Sequence, residues 1–186
     1  DPRGGAHRGG LRHRRSGPHG ADPHHEVSDR VLESGGDIVV IDIGGPVEPG
    51  YNSDSTRTYS LGEPDPDVAA KIALLEAAQQ AAVDAVKPGV TAESVDAAAR
   101  DLLAAGTGGR CSCTAPGTAS VCRCTRSRTS SAGTPTNCDR AWRSASSPAS
   151  TSAVSGGARI EDIVVVTADG CEAVNRRPHG LTVLPG

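Results

Sequence analysis

The chain of 186 residues contains no methionine, no phenylalanine, one tryptophan and two tyrosines. Without the large side chains that anchor most cores, its interior has to be built from Val, Ile, Leu and Ala. A translated chain starts with methionine, so its complete absence reads as a fragment or a damaged copy, although the length suits one ordinary domain. Long apolar runs are missing too. No stretch approaches the ~18 residues of a spanning helix, and no apolar h-region follows the N-terminal positive charges, so the expectation is a soluble, cytoplasmic protein with no membrane partner. The net charge is −3. Basic residues are not interleaved with aromatics, which argues against a nucleic-acid surface.

What is there changes character along the chain. Residues 1–16, "DPRGGAHRGGLRHRRS", are Gly, Arg and His without periodicity and read as a disordered or non-native tail. From Gly17 to about Ala105 the sequence is that of folded protein. "DIVVIDIGG" is a buried strand by its β-branched run, closed by Gly44, Gly45 and Pro46, and "YNSDSTRTYSLG" alternates as its antiparallel partner. Asp65 can cap a helix with Pro66 at its first position, and Val68, Ile72, Leu75, Val83 and Val86 fall on one face before "KPG" ends it. Thr91 can cap a second helix whose Val95, Ala98 and Leu102 share a face. From about 106 to 155 the chain is Ser, Thr, Arg, Cys, Pro and Gly with almost no aliphatics, a composition that buries too little to order itself. "ARIEDIVVVTADGCEAV" then reads as a strand, a turn at Ala168, Asp169 and Gly170, and a returning strand.

Side chains two apart share a face of a sheet. Asp42 therefore lies on the face of Ile38 and Val40, Asp54 on that of Thr56 and Thr58, and Arg159 on that of Glu161. A carboxylate at the apolar end of a strand is costly to bury alone, so several converging imply a cation or proton held between them. Asp42, Asp54 and Glu161 would make a hard oxygen site suited to divalent ions. Spacing alone is a weak signal and favours Asp42 and Asp54 as turn residues beside Gly and Pro.

"VVIDIGG", "GYNSDSTRTYSLG" and "ARIEDIVVVTADG", in this order, resemble the pita-bread metallopeptidases, specifically the Xaa-Pro dipeptidase and aminopeptidase P branch. The likeness covers about Gly17 to Ala105 and Gly156 to Asn175. It implies an α+β chain, a partial pita-bread fold with an antiparallel sheet covered by helices, and an incomplete catalytic domain over 17–186. It also implies hydrolysis of the peptide bond before a proline at the second position of a peptide substrate, by water activated between two divalent ions such as Mn, Co or Zn. Two Asp, one His and two Glu hold those ions in similar enzymes. Asp42 and Asp54 match the aspartates and Glu161 the last glutamate. His24, otherwise a surface loop histidine, matches the histidine near the substrate, Thr56 a partner of the aspartates, and Arg159 a group that supports them or meets a substrate carboxylate. Dimerisation is common among similar enzymes, so a homodimer is compatible with the resemblance, though no surface in the sequence argues for one.

The remaining ligands should come from segments reading like "HRTGHGIGL" and "SIEPGIY", and neither is present. The genetic code explains what stands there instead. Residues 112–131, "SCTAPGTASVCRCTRSRTSS", can be written in codons which, read two bases on, give "VHRTGHGIGLSVHEEPYIV"; the same offset from Asp139 gives "PGMAFSIEPGIYFRGQWGA". "LRHRRS" similarly yields "FVIVG". Insertions or deletions that compensate one another would leave such out-of-frame text. The expected chain then holds at most one ion weakly and is inactive. Two other readings stay open: a non-catalytic pita-bread module that binds peptides or proteins, and a zinc site on Cys111, Cys113, Cys122 and Cys124, whose CxC spacing is unusual for structural zinc.

Overall fold

The computed structural model describes residues 11–21, 29–47, 51–107, 112–114, 118–121, 127–129, 142–145, 149–152 and 156–186. Strand β1 (Leu11–Ser16) is followed by a short 3-10 turn (Gly17–Ala21), strand β2 (Asp37–Val47) and strand β3 (Tyr51–Leu61). β2 and β3 pair antiparallel along their whole lengths, with Asp42 opposite Thr56 and Gly44 opposite Asp54. The strand expected to close at the Gly-Gly-Pro run continues to Val47. Pro46 lies beyond the last described pair with β1, Leu11↔Gly44, where a missing N–H is tolerated. At the other end Gly36 and Gly62 take left-handed φ values of 95° and 83°, and a Cβ on either would strike the backbone of Glu63 or Ser34.

Helix α1 (Pro66–Ala85) starts as its sequence implies: Asp65 Oδ1 accepts Asp67 N–H at 2.8 Å, with Pro66 at the first turn. Ile72 and Leu75 of the expected face are buried, joined by Ala78, Gln79 and Ala82. Helix α2 (Ala92–Thr107) is capped by Thr91, whose Oγ1 accepts Ser94 N–H at 3.2 Å. Its buried face runs through Val95, Ala99 and Leu103, so the expected stripe is rotated by one residue beyond Val95. Small alanines let either phase pack, and contact with α1 selects this one.

The segment expected to stay unordered contributes strands. β4 (Ser112–Thr114), β5 (Thr118–Val121), β6 (Ser127–Thr129), β7 (Trp142–Ala145) and β8 (Ala149–Ser152) precede β9 (Gly156–Arg159), β10 (Ile163–Val166), β11 (Cys171–Ala173) and β12 (Thr182–Leu184). The sheets run in the order β1-β2-β3-β12, β11-β10-β7-β5-β6 and β4-β8-β9. Ladder bonds need only backbone N–H and C=O, so a Ser/Thr/Arg-rich strand can be templated by a neighbour: β7 by β10 and β8 by β9. β1 is another case. Its six residues, compositionally part of a tail, pair from Leu11↔Gly44 to Ser16↔Val39. Among the described residues every strand pairing is antiparallel except that of β12 with β3. The β10–β11 hairpin around residues 168–170 follows the sequence expectation, but the single strand expected before it is divided into β9 and β10, which lie in different sheets, because residues 161–162 turn to bridge Thr56 and to meet Arg57.

One core cluster joins the helices to the sheets: Ile72, Leu75 and Ala78 of α1 and Val95, Ala99 and Leu103 of α2 belong to it with Ile38, Ile160 and Val164. No described helix is long and apolar enough to cross a membrane. Beside this core lies a buried charge. The Arg57 guanidinium bonds Asp162 Oδ1 at 2.6 Å and donates to four carbonyls: Thr56 O at 2.8 Å and Glu161, Arg177 and Pro178 O at 2.9 Å. Asp162 Oδ2 accepts from Gln79 Nε2 at 3.1 Å, and His179 Nε2 stands 2.5 Å from the same oxygen. Replacing Arg57 by leucine should leave the Asp162 carboxylate buried without its counter-charge and lower unfolding free energy by about 3–5 kcal/mol, read by urea denaturation. A loss within ~1 kcal/mol would contradict this role.

Candidate metal centre

Asp42, Asp54 and Glu161 arrive from three segments. β2 carries Asp42 one step beyond Val40, and pairing across to β3 puts Asp54 opposite Gly44. Gly44 matters here, because a Cβ on it would come within 2.9 Å of Ser53 O and reach the Asp54 side chain at 3.9 Å. Glu161 is set by an isolated antiparallel bridge to Thr56, with Thr56 N–H to Glu161 O at 3.2 Å and Glu161 N–H to Thr56 O at 3.1 Å. The three residues bring carboxylate oxygens within 4.8 Å of one another, all partly buried.

Three carboxylates this close repel. Desolvation by burial is the largest cause that raises Asp54 from an ordinary value of 3.8 to about 7, followed by the charges of Glu161 and Asp42, while Arg159 works in the opposite direction. Arg159 is itself buried and stands 3.9 Å from Asp42 Oδ2 and 3.8 Å from Glu161 Oε1, longer than hydrogen bonds. It offsets negative charge across a gap without filling it. The Thr56 hydroxyl donates to Glu161 Oε2 and orients that carboxylate. Thr58 Oγ1 donates to Arg159 O at 2.9 Å and accepts Arg159 N–H at 3.0 Å, fixing the arginine's backbone. An all-oxygen donor set of this charge suits a hard divalent cation such as Mn or Mg, and an ion bound there would compete with protons for Asp54.

The structure thus brings together Asp42, Asp54, Glu161 and Arg159, with Thr56 against Glu161. His24 lies outside the described residues, as do Cys111, Cys122 and Cys124; Cys113 falls in β4. Among the described residues no histidine joins the acidic group. Sequence reasoning missed Gly44 and Asn175. The first was visible only as part of a turn signal. Asn175 lies in a stretch without periodicity, and only the fold shows its amide bonded to both Asp54 O and Ile163 N–H at 2.8 Å.

The sequence pattern of metallopeptidase family M24 matches residues 5–168. The chain belongs to that family. The match begins inside the block that composition marks as a tail and runs through the out-of-pattern middle. A probable dipeptidase PepE from Mycobacterium tuberculosis is 50% identical over 182 residues, covering 91% of this chain and 45% of that relative. An Xaa-Pro dipeptidase from Pyrococcus horikoshii is 42% identical over 89 residues, 48% of this chain and 25% of that protein. The crystal structure of dipeptidase PepE from Mycobacterium ulcerans superposes with a TM-score of 0.87 at 50% identity, over 95% of this chain and 47% of that one. The chain therefore has the pita-bread fold and spans about half the length of such relatives. Members of the family depend on metal, which the acidic group matches in kind.

The sign of the Asp54 shift sets a pH dependence. Its folded value, about 7, lies above the ordinary 3.8, so its contribution to stability is complete below about pH 4 and is lost as pH rises through about 7. Urea unfolding of the ion-free protein should show wild type losing stability relative to Asp54→Asn across that window. Parallel pH profiles for the two would contradict the shift.

Proposed function

We propose that this chain is the catalytic half of a peptidase of the Xaa-Pro dipeptidase or aminopeptidase P type, acting on peptides with proline at the second position. The observation that carries the reading is the convergence of Asp42, Asp54 and Glu161 within 4.8 Å. Divalent ions bound there would acidify water for attack on the peptide carbonyl. Asp42, Asp54 and Glu161 would supply three of their ligands, Thr56 orients Glu161, and Arg159 limits repulsion in the unliganded group or meets a substrate carboxylate. His24 is assigned to the substrate side by the resemblance of "GADPHHEVSD" to the family. The similarity to the Xaa-Pro dipeptidase from Pyrococcus horikoshii supports this substrate class. The proposal includes a cytoplasmic setting, where the half-buried free thiol of Cys171 stays reduced. A homodimer is compatible with it.

The chain as written is incomplete as a catalyst. The imidazole and second glutamate that the resemblance calls for are expected from the middle segment, whose text recovers them only in another frame. Three carboxylates hold one ion loosely and do not fix a pair, so the water-activating arrangement is not assembled. The purified chain with added manganese should not cleave Gly-Pro or Ala-Pro substrates, whereas the same chain with residues 112–155 rewritten in the shifted frame should. Turnover by the unaltered chain would sink the proposed inactivity. The frame itself is checked by resequencing the DNA from the codon of Leu103 to that of Glu161. Compensating insertions or deletions are expected; a confirmed reading without a recoverable frame would contradict this origin.

A further inference from the structure

The ladder that joins β3 to the Glu161 segment is one residue pair long. Continued from Thr56↔Glu161, the next hydrogen-bonded pairs of an antiparallel ladder would be Thr58 with Arg159 on one side and Asp54 with Ile163 on the other. Neither pair forms by backbone contact. On the first side the Thr58 hydroxyl takes both roles toward Arg159 N–H and O. On the second side the Asn175 amide is inserted: Nδ2 donates to Asp54 O at 2.8 Å and Oδ1 accepts Ile163 N–H at 2.8 Å. A primary amide carries one donor end and one acceptor end, so a single orientation satisfies both strands. The two segments that bear Asp54 and Glu161 are thus held apart by the width of a side-chain amide and held together by its two bonds.

We propose that Asn175 is a positioning residue that sets the gap between the Asp54 and Glu161 carboxylates. The proposal rests on reading those two as ion ligands. Asn175 does not touch an ion; it fixes the backbone from which Asp54 projects. Its loop position, after β11 and outside the apolar core, separates this role from general stability. Without the amide the Thr56↔Glu161 bridge loses its support on the Asp54 side, while the Thr58 and Arg57 bonds remain on the other, and bonds at the end of so short a ladder open readily.

Two readouts test it on the full chain. In the ion-free protein, Asn175→Ala should speed amide exchange at Thr56 and Glu161 roughly tenfold or more relative to Leu75 and Ala78 of α1. A change at the bridge no larger than that in α1 would overturn the proposal. If the alanine variant does not fold, exchange is compared in Asn175→Asp, which keeps the acceptor for Ile163 N–H but sets a charged oxygen, in place of the donor, against Asp54 O. For Mn2+ alone, read by electron paramagnetic resonance, Asn175→Ala should bind about tenfold or more weakly than the unaltered chain. Equal affinity would overturn the positioning role. Absence of Mn2+ binding by the unaltered chain would instead refute the ion-site reading, and the exchange comparison would still decide what Asn175 does.

Discussion

The buried guanidinium of Arg57 is the interaction on which the site depends. It sits on β3 among the acidic residues and takes as partners one carboxylate and four backbone carbonyls, three of them from the segments 161–162 and 177–178. A charge removed from water survives only when nearly every N–H is satisfied, and those partners exist only when the distant chain segment is docked. Arg57 therefore makes docking close to all-or-none. Asp162, held by Arg57 and Gln79, is the immediate neighbour of Glu161, so what secures the core also secures a ligand-bearing residue.

Around that clamp the polar groups of β3 divide their work by face. Arg57 points to the clamp, while Thr56 and Thr58 meet Glu161 and Arg159. The candidate ion group forms where these contacts splay the backbone ladder instead of continuing it. A regular sheet would bring the strands to ladder spacing; side-chain insertions by Thr58 and Asn175 open it, and the room is filled by carboxylates whose mutual repulsion an ion would relieve. Burial and repulsion together give Asp54 its raised affinity for a proton, the signature of a group arranged for charge that it does not itself supply.

Much of this was legible in the residues. A β-branched run identified β2, alternation β3 and the turn at 168–170 the β10–β11 hairpin, and the Asp65-Pro66 pair marked the start of α1, because each is a local preference that the fold does not override. The acidic trio could be named because Asp42 closes an apolar run and the resemblance of the three segments to pita-bread metallopeptidases matches Asp42, Asp54 and Glu161 to ligands. Two parts were not legible. β1 and β4–β8 have side chains that give no strand pattern, and their order comes from backbone templating by neighbours that composition cannot reveal. Gly44, Asn175 and the fivefold use of Arg57 depend on where distant backbone atoms fall, and nothing within a few residues of each announces it.

The claim that three carboxylates from β2, β3 and the Glu161 segment form a divalent-ion site, incomplete without ligands from the middle of the chain, is tested most directly by equilibrium dialysis of the ion-free protein against Mn2+ with metal analysis. The account predicts one ion per chain, lost in both Asp42→Asn and Glu161→Gln. Two tightly held ions per chain, or binding that both substitutions leave unchanged, would contradict it.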